Sequence, residues 1–310
     1  MIAKKITIGD KFPLDGLLTI PGEGEIPFPA VVLVHGSGPN DMDEKVGNCY
    51  TFKDLAAGFA KHGIASIRYN KRTKTYGKQM VKKSDGSLTV WDETIEDAIF
   101  ATELIKTNPR INPKRVFIAG HSMGAMLAPR IDAEGGNYTG LILLAGSPRK
   151  LEEIIIEQMD ASLASLNPLL KLIGNRQVKK MKTKLDGIYE LSDEEAKKKA
   201  FFGKYNKLYY LKEMGLKPPK TYLENLSKPI LVMQGDMDFH VSVENDFEQY
   251  KKILKNHPDA TFKMYPGLNH LFMQTVYGRN ISKGVKEYKK PQHVEEYVID
   301  DIAEWIKSCS

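Results

Sequence analysis

Six short, almost entirely apolar runs recur along this chain, and most of them end in glycine. They are PAVVLVHG (29–36), IASIRYN (64–70), RVFIAG (115–120), GLILLAG (140–146), PILVMQG (229–235) and TFKMYPG (261–267). Runs of this kind are typical of strands that are buried on both faces of a parallel sheet. A terminal glycine lets the chain leave such a strand sharply. LLTIPGEG, which starts at residue 17, indicates a further strand and a Pro/Gly turn.

Segments with apolar residues at helical spacing lie between these runs. The clearest are residues 51–63, 92–109 and 293–307, and the last of them is strongly amphipathic. The first ends in glycine and the second is followed by proline, as helices commonly are. Because strand and helix alternate, the sequence predicts an α/β fold, a mostly parallel sheet with helices on both faces.

One interval, residues 148–225, interrupts this alternation. It contains no buried-strand run, and its pattern is helical and charged. We therefore predict a helical cap at 148–225, inserted into a core formed by residues 1–147 and 226–310. The basic stretch 176–184 is interpreted as a solvated face. Large apolar and aromatic side chains of the cap could form its own core or line a substrate pocket; these are Phe201, Phe202, Tyr205, Tyr209, Tyr210 and Met214.

Composition excludes several classes of protein. A net charge of +6 over 310 residues is small and does not by itself imply nucleic-acid binding. No apolar run approaches the roughly 18 residues of a membrane span, and the N-terminus lacks a signal-peptide core. Cys49 and Cys309 have no metal-ligand spacing and suit a reducing compartment. We expect a cytoplasmic protein without metal or organic cofactor, with no nucleic-acid or membrane partner; its oligomeric state stays open.

The stretch Gly120-His121-Ser122-Met123-Gly124 fits the pattern G-x-S-x-G. The pattern alone is weak, but here a buried-strand run precedes it and a helix-like pattern follows it, as a nucleophile elbow requires. Side chains at the two glycine positions would clash with so tight a turn. Ser122 is therefore predicted to be a nucleophile, and the alternative is an ordinary serine N-cap.

A serine hydroxyl needs a base, and seven histidines compete for this role. His270 follows a late strand and a Pro/Gly loop, so it should emerge at the same carboxyl edge of the sheet as Ser122. His240 is its rival. The base in turn needs an acid. Asp238 lies far enough along its loop to reach across, whereas Asp236 directly follows Gly235 and suits a turn-capping role.

The loop HGSGPND (35–41) follows a buried strand and is rich in glycine. It can expose backbone N–H groups with no side chain in the way. The N–H groups of Ser37 and Met123 are the predicted donors of an oxyanion hole. The alternative is a plain turn. A phosphate loop is excluded because no G-K-[ST] follows.

These residues resemble the α/β-hydrolase superfamily. The motifs HGSGPND, RYNKR, GHSMGA, LLAGSPR, QGDMDFHV and YPGLNHLF occur in the expected order from about residue 17 to the end, apart from the cap. The resemblance is to a bacterial branch of carboxylesterase-like, dienelactone-hydrolase-like and serine-aminopeptidase-like proteins. It implies an α/β-hydrolase fold with a triad of Ser122, Asp238 and His270, in the chain order of that fold. Dienelactone hydrolases more often use a cysteine nucleophile, which argues against literal dienelactone hydrolysis.

The expected function is hydrolysis of small-molecule carboxylic esters with small to medium acyl groups. An aminopeptidase or a thioesterase would use the same triad. A peptidase usually needs acids in the cap to hold an amino terminus; the candidates are Glu152, Glu153, Glu194 and Glu195. A non-catalytic binding protein of this fold is the alternative from another class, but such proteins usually lack a triad member.

Overall fold

The computed structural model describes residues 1–164, 166–202 and 206–309. Within these ranges one large sheet has eight strands. They are β1 (Ile2–Ile8), β2 (Leu14–Ile20), β3 (Phe28–Val34), β4 (Ala65–Tyr69), β5 (Ile111–His121), β6 (Leu141–Leu144), β7 (Ile230–Gly235) and β8 (Ala260–Tyr265). All six of the apolar runs lie in this sheet.

The strand order across the sheet is β1-β2-β4-β3-β5-β6-β7-β8. β1 pairs antiparallel with β2, and β2 pairs antiparallel with β4. Every other neighbouring pair is parallel. The prediction of a mostly parallel sheet is confirmed. Its parallel strands all point their carboxyl ends at one edge, where the loops after β3, β5, β7 and β8 meet.

Helices cover both faces of the sheet, as predicted. The described α-helices are α1 (Thr51–Lys61), α2 (Arg72–Ser84), α3 (Glu96–Lys106), α4 (Met123–Ile131), α5 (Leu151–Ala164), α6 (Pro168–Asp186), α7 (Asp193–Lys198), α8 (Leu208–Leu216), α9 (Pro219–Leu223), α10 (Glu248–Ile253), α11 (Ile281–Glu287) and α12 (Glu296–Ser308). One hydrophobic cluster joins the sheet to α3 and α4. A second cluster joins its other face to α1 and α12.

β1, at the edge of the sheet, is not predicted from the sequence. Four of its first five residues are exposed, and Lys4 and Lys5 lie in its middle. A strand that is open to solvent has no apolar run to reveal it, and lysines commonly protect such edges from further pairing. The predicted helix at 92–109 begins as a π-helical turn at Trp91–Ile95 and continues as α3.

Residues 148–225, which we name the cap segment, contain α5 to α9 and a short antiparallel pair, Ala200–Phe202 with Asn206–Lys207. The basic stretch 176–184 is mostly exposed, in agreement with a solvated face. The division of the chain into a core and a cap stays a prediction. Of the predicted cap side chains, that of Phe202 is not described, and Tyr205 lies outside the described residues.

Candidate active site

Ser122 occupies a tight turn between β5 and α4. Its φ of 54° and ψ of −116° are unusual for a residue with a side chain, and such a conformation persists only where the surroundings hold it. The Ser122 N–H donates to the carbonyl of Leu144 at 2.8 Å. A Cβ on Gly120 would lie 2.2 Å from the carbonyl oxygen of Gly124, and a Cβ on Gly124 would lie 2.1 Å from that of Val34. Both glycines are therefore required by close backbone contacts.

Asp238 and His270 meet at the same edge of the sheet, from the loops after β7 and β8. Nδ1 of His270 lies 2.7 Å from Oδ2 of Asp238, and both residues are buried. Gln234 Nε2 also donates to Oδ2 at 2.8 Å, while the N–H groups of His240 and Val241 donate to Oδ1 at 2.7 and 3.1 Å. Burial opposes the charge of this carboxylate, but His270 and these donors lower the pKa of Asp238 below its usual value.

The rival residues have other contacts. Asp236 Oδ1 accepts the N–H of Gly267 at 2.7 Å, which is the turn-capping role expected for it. The His240 ring packs against the His270 ring with centroids 4.7 Å apart. Burial, followed by the neighbouring His270, lowers the pKa of His240 to about 3, so this ring stays neutral. The geometry thus pairs Asp238 with His270, and the catalytic roles of both stay predictions.

Ser122 and His270 line one cavity of about 270 Å³, whose walls combine polar and apolar side chains. In the described part of the chain the Ser122 hydroxyl forms no hydrogen bond. Hydrogen bonds between a nucleophile and its base are often long without substrate and shorten when substrate binds. The side chains of Ser122 and His270 therefore line the same cavity, but in the described structure no hydrogen bond connects them.

The loop 35–41, which we name the oxyanion loop, is held at Gly36 by two buried charged side chains. The Gly36 N–H donates to Glu44 Oε1 at 2.7 Å, and the Gly36 carbonyl accepts from Lys71 Nζ at 2.9 Å. That carbonyl and the Ser37 N–H belong to one planar trans peptide and point in opposite directions. Because Lys71 holds the carbonyl, the Ser37 N–H is directed away from Lys71.

Ser37 and Met123 line a second cavity, of about 160 Å³, together with Ser122. Among residues 1–164, 166–202 and 206–309, neither of their N–H groups donates to a protein acceptor. Unused backbone donors beside a half-buried serine that lines a cavity are what an oxyanion hole provides. The assignment of these two N–H groups stays a prediction.

A buried ion pair that the sequence analysis did not identify connects three parts of the site. His121 Nδ1 lies 3.1 Å from Glu44 Oε2, and His121 Nε2 lies 3.0 Å from the carbonyl oxygen of His270. An acceptor lies near each ring nitrogen, which favours the imidazolium form of this histidine. Burial disfavours the charge, but Glu44 and the His270 carbonyl raise the pKa of His121. Glu44 therefore binds the oxyanion loop at Gly36 and pairs with His121 in the elbow. His121 in turn contacts the loop that bears His270.

A second buried network reaches from the oxyanion loop to the cap segment. Lys71 Nζ lies 3.3 Å from Glu93 Oε1, and the Tyr210 hydroxyl of α8 donates to the other Glu93 oxygen. The same hydroxyl lies 3.8 Å from Met123 Sδ. Local sequence patterns do not reveal these contacts, because the three residues are separated by 22 and 117 positions.

The largest of the three cavities that meet at Ser37 is apolar and has a volume of about 380 Å³. It lies between the oxyanion loop, α2 and the cap segment, and its walls include Met123, Leu151, Ile155, Phe201, Tyr210 and Leu211. Of the predicted cap side chains, Phe201 and Tyr210 therefore line a pocket. Tyr209 and Met214 instead pack into hydrophobic clusters. Among the described residues, no group of three or more His, Cys, Asp or Glu side chains is arranged to hold a metal ion.

The family described as Serine aminopeptidase, S33 (Hydrolase_4) matches residues 26–275, which is most of the chain. The chain belongs to this family. Its similarity to Esterase EstD of Thermotoga maritima is 38% identity over 305 residues, which cover 98% of this chain and 67% of that protein. The Dipeptidyl peptidase family member 6 of Caenorhabditis elegans is 23% identical over 277 residues, or 86% of this chain and 31% of that protein.

Solved structures with a similar fold come from two esterases. The esterase Pf2001 of Pyrococcus furiosus superposes with a TM-score of 0.58 at 16% identity, over 99% of this chain and 91% of that one. Est1E of Butyrivibrio proteoclasticus superposes with a TM-score of 0.56 at 17% identity, over 96% and 99%. At such low identity these likenesses concern the fold, and the predicted α/β-hydrolase fold is confirmed.

Proposed function

We propose that this S33 family member is a serine esterase that hydrolyses carboxylic esters with small to medium acyl groups through an acyl-enzyme. The observation that carries the proposal is the buried His270–Asp238 pair beside a serine held in a nucleophile elbow. The relative EstD is an esterase, and the predicted enzyme class of this chain, a carboxylic ester hydrolase, is confirmed.

In the first half of the reaction, His270 Nε2 takes the proton of Ser122 as its hydroxyl oxygen attacks the ester carbonyl. The negative charge that develops on the carbonyl oxygen is stabilised by the N–H groups of Ser37 and Met123. The imidazolium of His270, whose Nδ1–H is held by the Asp238 carboxylate, then protonates the leaving alcohol. The acyl group stays on Ser122.

In the second half, water occupies the place of the alcohol. His270 takes a proton from it, and the resulting hydroxide attacks the acyl carbonyl. The tetrahedral intermediate uses the same two N–H groups, and its collapse releases the acid and returns the proton to Ser122.

The contacts of the acidic side chains favour an esterase over an aminopeptidase. Among the described residues, Glu44 and Glu93 are the acids that line the cavities around Ser122, and both already face buried cations, His121 and Lys71. The four acids considered for the cap line none of these three cavities. Glu194 pairs with Lys197, Glu195 caps α7 at Ser192, and Glu152 accepts from Tyr189, while Glu153 is exposed.

Initial rates on p-nitrophenyl esters from acetate to octanoate, run beside aminoacyl-anilides, test the proposal. We expect ester turnover with no anilide cleavage, and covalent labelling of Ser122 by a fluorophosphonate, located by peptide mass spectrometry. Anilide cleavage at comparable rates would support the aminopeptidase instead. An acyl-thioester in the same panel tests the thioesterase reading.

Lys71→Met should lower kcat about tenfold while KM changes little, because the Gly36 carbonyl keeps only its contact with Asn40 and the Ser37 N–H of the same peptide is held less firmly. One oxyanion donor is worth about 3 kcal/mol. The substitution also leaves the carboxylate of Glu93 buried without its cation, which destabilises the fold. The variant Glu93→Gln is the control, since it neutralises the partner but keeps Lys71 on the Gly36 carbonyl. Equal losses of kcat in the two variants at matched thermal stability would contradict a positioning role for Lys71.

The cytoplasmic location also stays a proposal. It is supported by Cys49 and Cys309, which are both free thiols and both buried. Among the described residues, no helix has the length and apolar character to cross a membrane. The partner we propose is a small-molecule ester, with no nucleic acid involved.

A further inference from the structure

The two loops that carry Ser37 and His270 follow strands that lie far apart in the sheet. β5, β6 and β7 lie between β3 and β8 in the strand order, so strand pairing does not connect the two loops directly. The proposed mechanism, on which this inference rests, needs the Ser37 N–H and the His270 ring at one carbonyl carbon, each within about 0.5 Å of its working position. Side chains must therefore fix the distance between the loops.

The buried carboxylate of Glu44 spans this gap together with the ring of His121. Glu44 Oε1 accepts the Gly36 N–H at 2.7 Å, and Glu44 Oε2 lies 3.1 Å from His121 Nδ1. On the far side of the ring, His121 Nε2 lies 3.0 Å from the carbonyl oxygen of His270. All four residues are buried, and two side chains thus form a bridge from the oxyanion loop to the His270 loop.

The main chain around Glu44 is fixed. Glu44 has a left-handed backbone conformation with a φ of 49°, which is uncommon for a residue with a side chain and persists where the surroundings hold it. Its N–H donates to the carbonyl of Asp41 at 2.9 Å, and the Asp41 carboxylate accepts the N–H groups of Asp43 and Lys45 at 3.1 Å each. Because this backbone is fixed, the length of the Glu44 side chain determines how far its carboxylate reaches.

We propose that Glu44 is a positioning residue, which keeps the oxyanion loop and the His270 loop at their working distance by bridging Gly36 and His121. The length of the bridge is essential and its charge is not. The Gly36 N–H needs only an acceptor oxygen, and a neutral His121 that carries its proton on Nε2 still donates to the His270 carbonyl. An amide of the same length can therefore form the same bridge.

Two substitutions of Glu44 separate length from charge. Glu44→Gln keeps the length of the side chain and removes its charge, whereas Glu44→Asp keeps the charge and is shorter by one methylene group. We expect Glu44→Asp to lower kcat on p-nitrophenyl butanoate about 10²-fold, because a displacement of about 1 Å can cost this much. KM should change little, since the oxyanion contact is made in the transition state. Glu44→Gln should keep kcat within about threefold of the native value.

The inhibitor 1,1,1-trifluorooctan-2-one tests the same geometry without turnover. The Ser122 oxygen adds to its ketone carbon, His270 takes the hydroxyl proton, and the former carbonyl oxygen receives the electron pair as an oxyanion. Because this adduct resembles the transition state, its Ki should follow the loss of kcat. We expect Ki to rise about 10²-fold in Glu44→Asp and to stay within about threefold in Glu44→Gln. An unchanged Ki in Glu44→Asp would overturn the proposal.

Glu287→Asp is the matched control, since it shortens another buried glutamate that holds a loop. Glu287 Oε1 accepts the N–H groups of Val276 and Tyr277 at 2.8 and 3.3 Å, and the residue lines none of the three cavities around Ser122. We expect kcat and Ki within about threefold of the native values. A loss of kcat as large as that in Glu44→Asp would mean that a general loss of packing causes it, and would overturn the proposal.

A second break in the bridge keeps the proposal testable if Glu44→Asp does not fold. In the Glu44→Gln protein, the further substitution His121→Phe removes the contact with the His270 carbonyl and leaves no unpaired charge. We expect kcat to fall about tenfold below that of Glu44→Gln, and an unchanged kcat would overturn the proposal.

The remaining outcomes are also decisive. A loss of kcat in Glu44→Gln as large as that in Glu44→Asp would mean that the charge is required, and native kcat in Glu44→Asp would mean that the length is not. Either result would overturn the positioning role and leave the esterase intact. Failure of the native protein to cleave p-nitrophenyl butanoate would overturn the proposed function, and this inference with it.

Discussion

Ser122→Ala is expected to lower kcat on p-nitrophenyl esters by about 10⁶, because loss of the nucleophile costs about as much as loss of a whole triad. The Cβ that packs in the elbow is retained, and only a hydroxyl without a protein partner among the described residues is removed. We therefore expect an unchanged circular dichroism spectrum and a melting temperature close to that of the native protein. Fluorophosphonate labelling should disappear.

Ser37→Ala is the matched control for this experiment. Ser37 lines the same cavity as Ser122, but its exposed side chain has no role in the proposed mechanism, which uses its backbone N–H. Its kcat should stay within about twofold of the native value, since alanine keeps that N–H. A burst of acylation by Ser122→Ala, or a loss in Ser37→Ala as large as that in Ser122→Ala, would contradict the assignment of the nucleophile.

Asp238→Asn is expected to lower kcat by about 10⁴, the loss seen when a triad histidine is held in the wrong tautomer. Two backbone N–H groups donate to Oδ1 of Asp238, so the amide oxygen of asparagine takes that position. Its NH₂ then faces His270 Nδ1, which must accept a hydrogen bond instead of donating one. The ring proton moves to Nε2, and the base has no lone pair left for Ser122.

Asp236→Asn separates this effect from a general loss of charge in the loop. Asp236 precedes Asp238 by two residues, but its carboxylate accepts the Gly267 N–H and is not bonded to His270. We expect kcat within about threefold of the native value for this variant. The measurement is kcat on p-nitrophenyl butanoate. A larger loss in Asp236→Asn than in Asp238→Asn would assign the role of the triad acid to Asp236.

Much of the sheet was predictable because strands buried on both faces must be apolar on both faces. The runs that became β3, β6 and β7 carry this signature, whereas β1 does not, because it lies at an exposed edge. β8 lies at the opposite edge and is only partly buried. The positions of Ser122, Asp238 and His270 after strands were predictable for the same reason. Parallel strands bring their carboxyl ends to one edge, so residues that follow them become neighbours although they are far apart in the chain.

The sequence by itself determined the α/β class, and it favoured an elbow at Ser122 and the pair Asp238 and His270 over their rivals, because these features depend on local pattern and strand direction. Only the tertiary structure shows which buried charged side chains fix the loops around these residues. Glu44 against His121 and Lys71 against Glu93 and Tyr210 are contacts between distant segments. A buried charge is stable only beside its partner, and no local pattern states which partner the fold will bring.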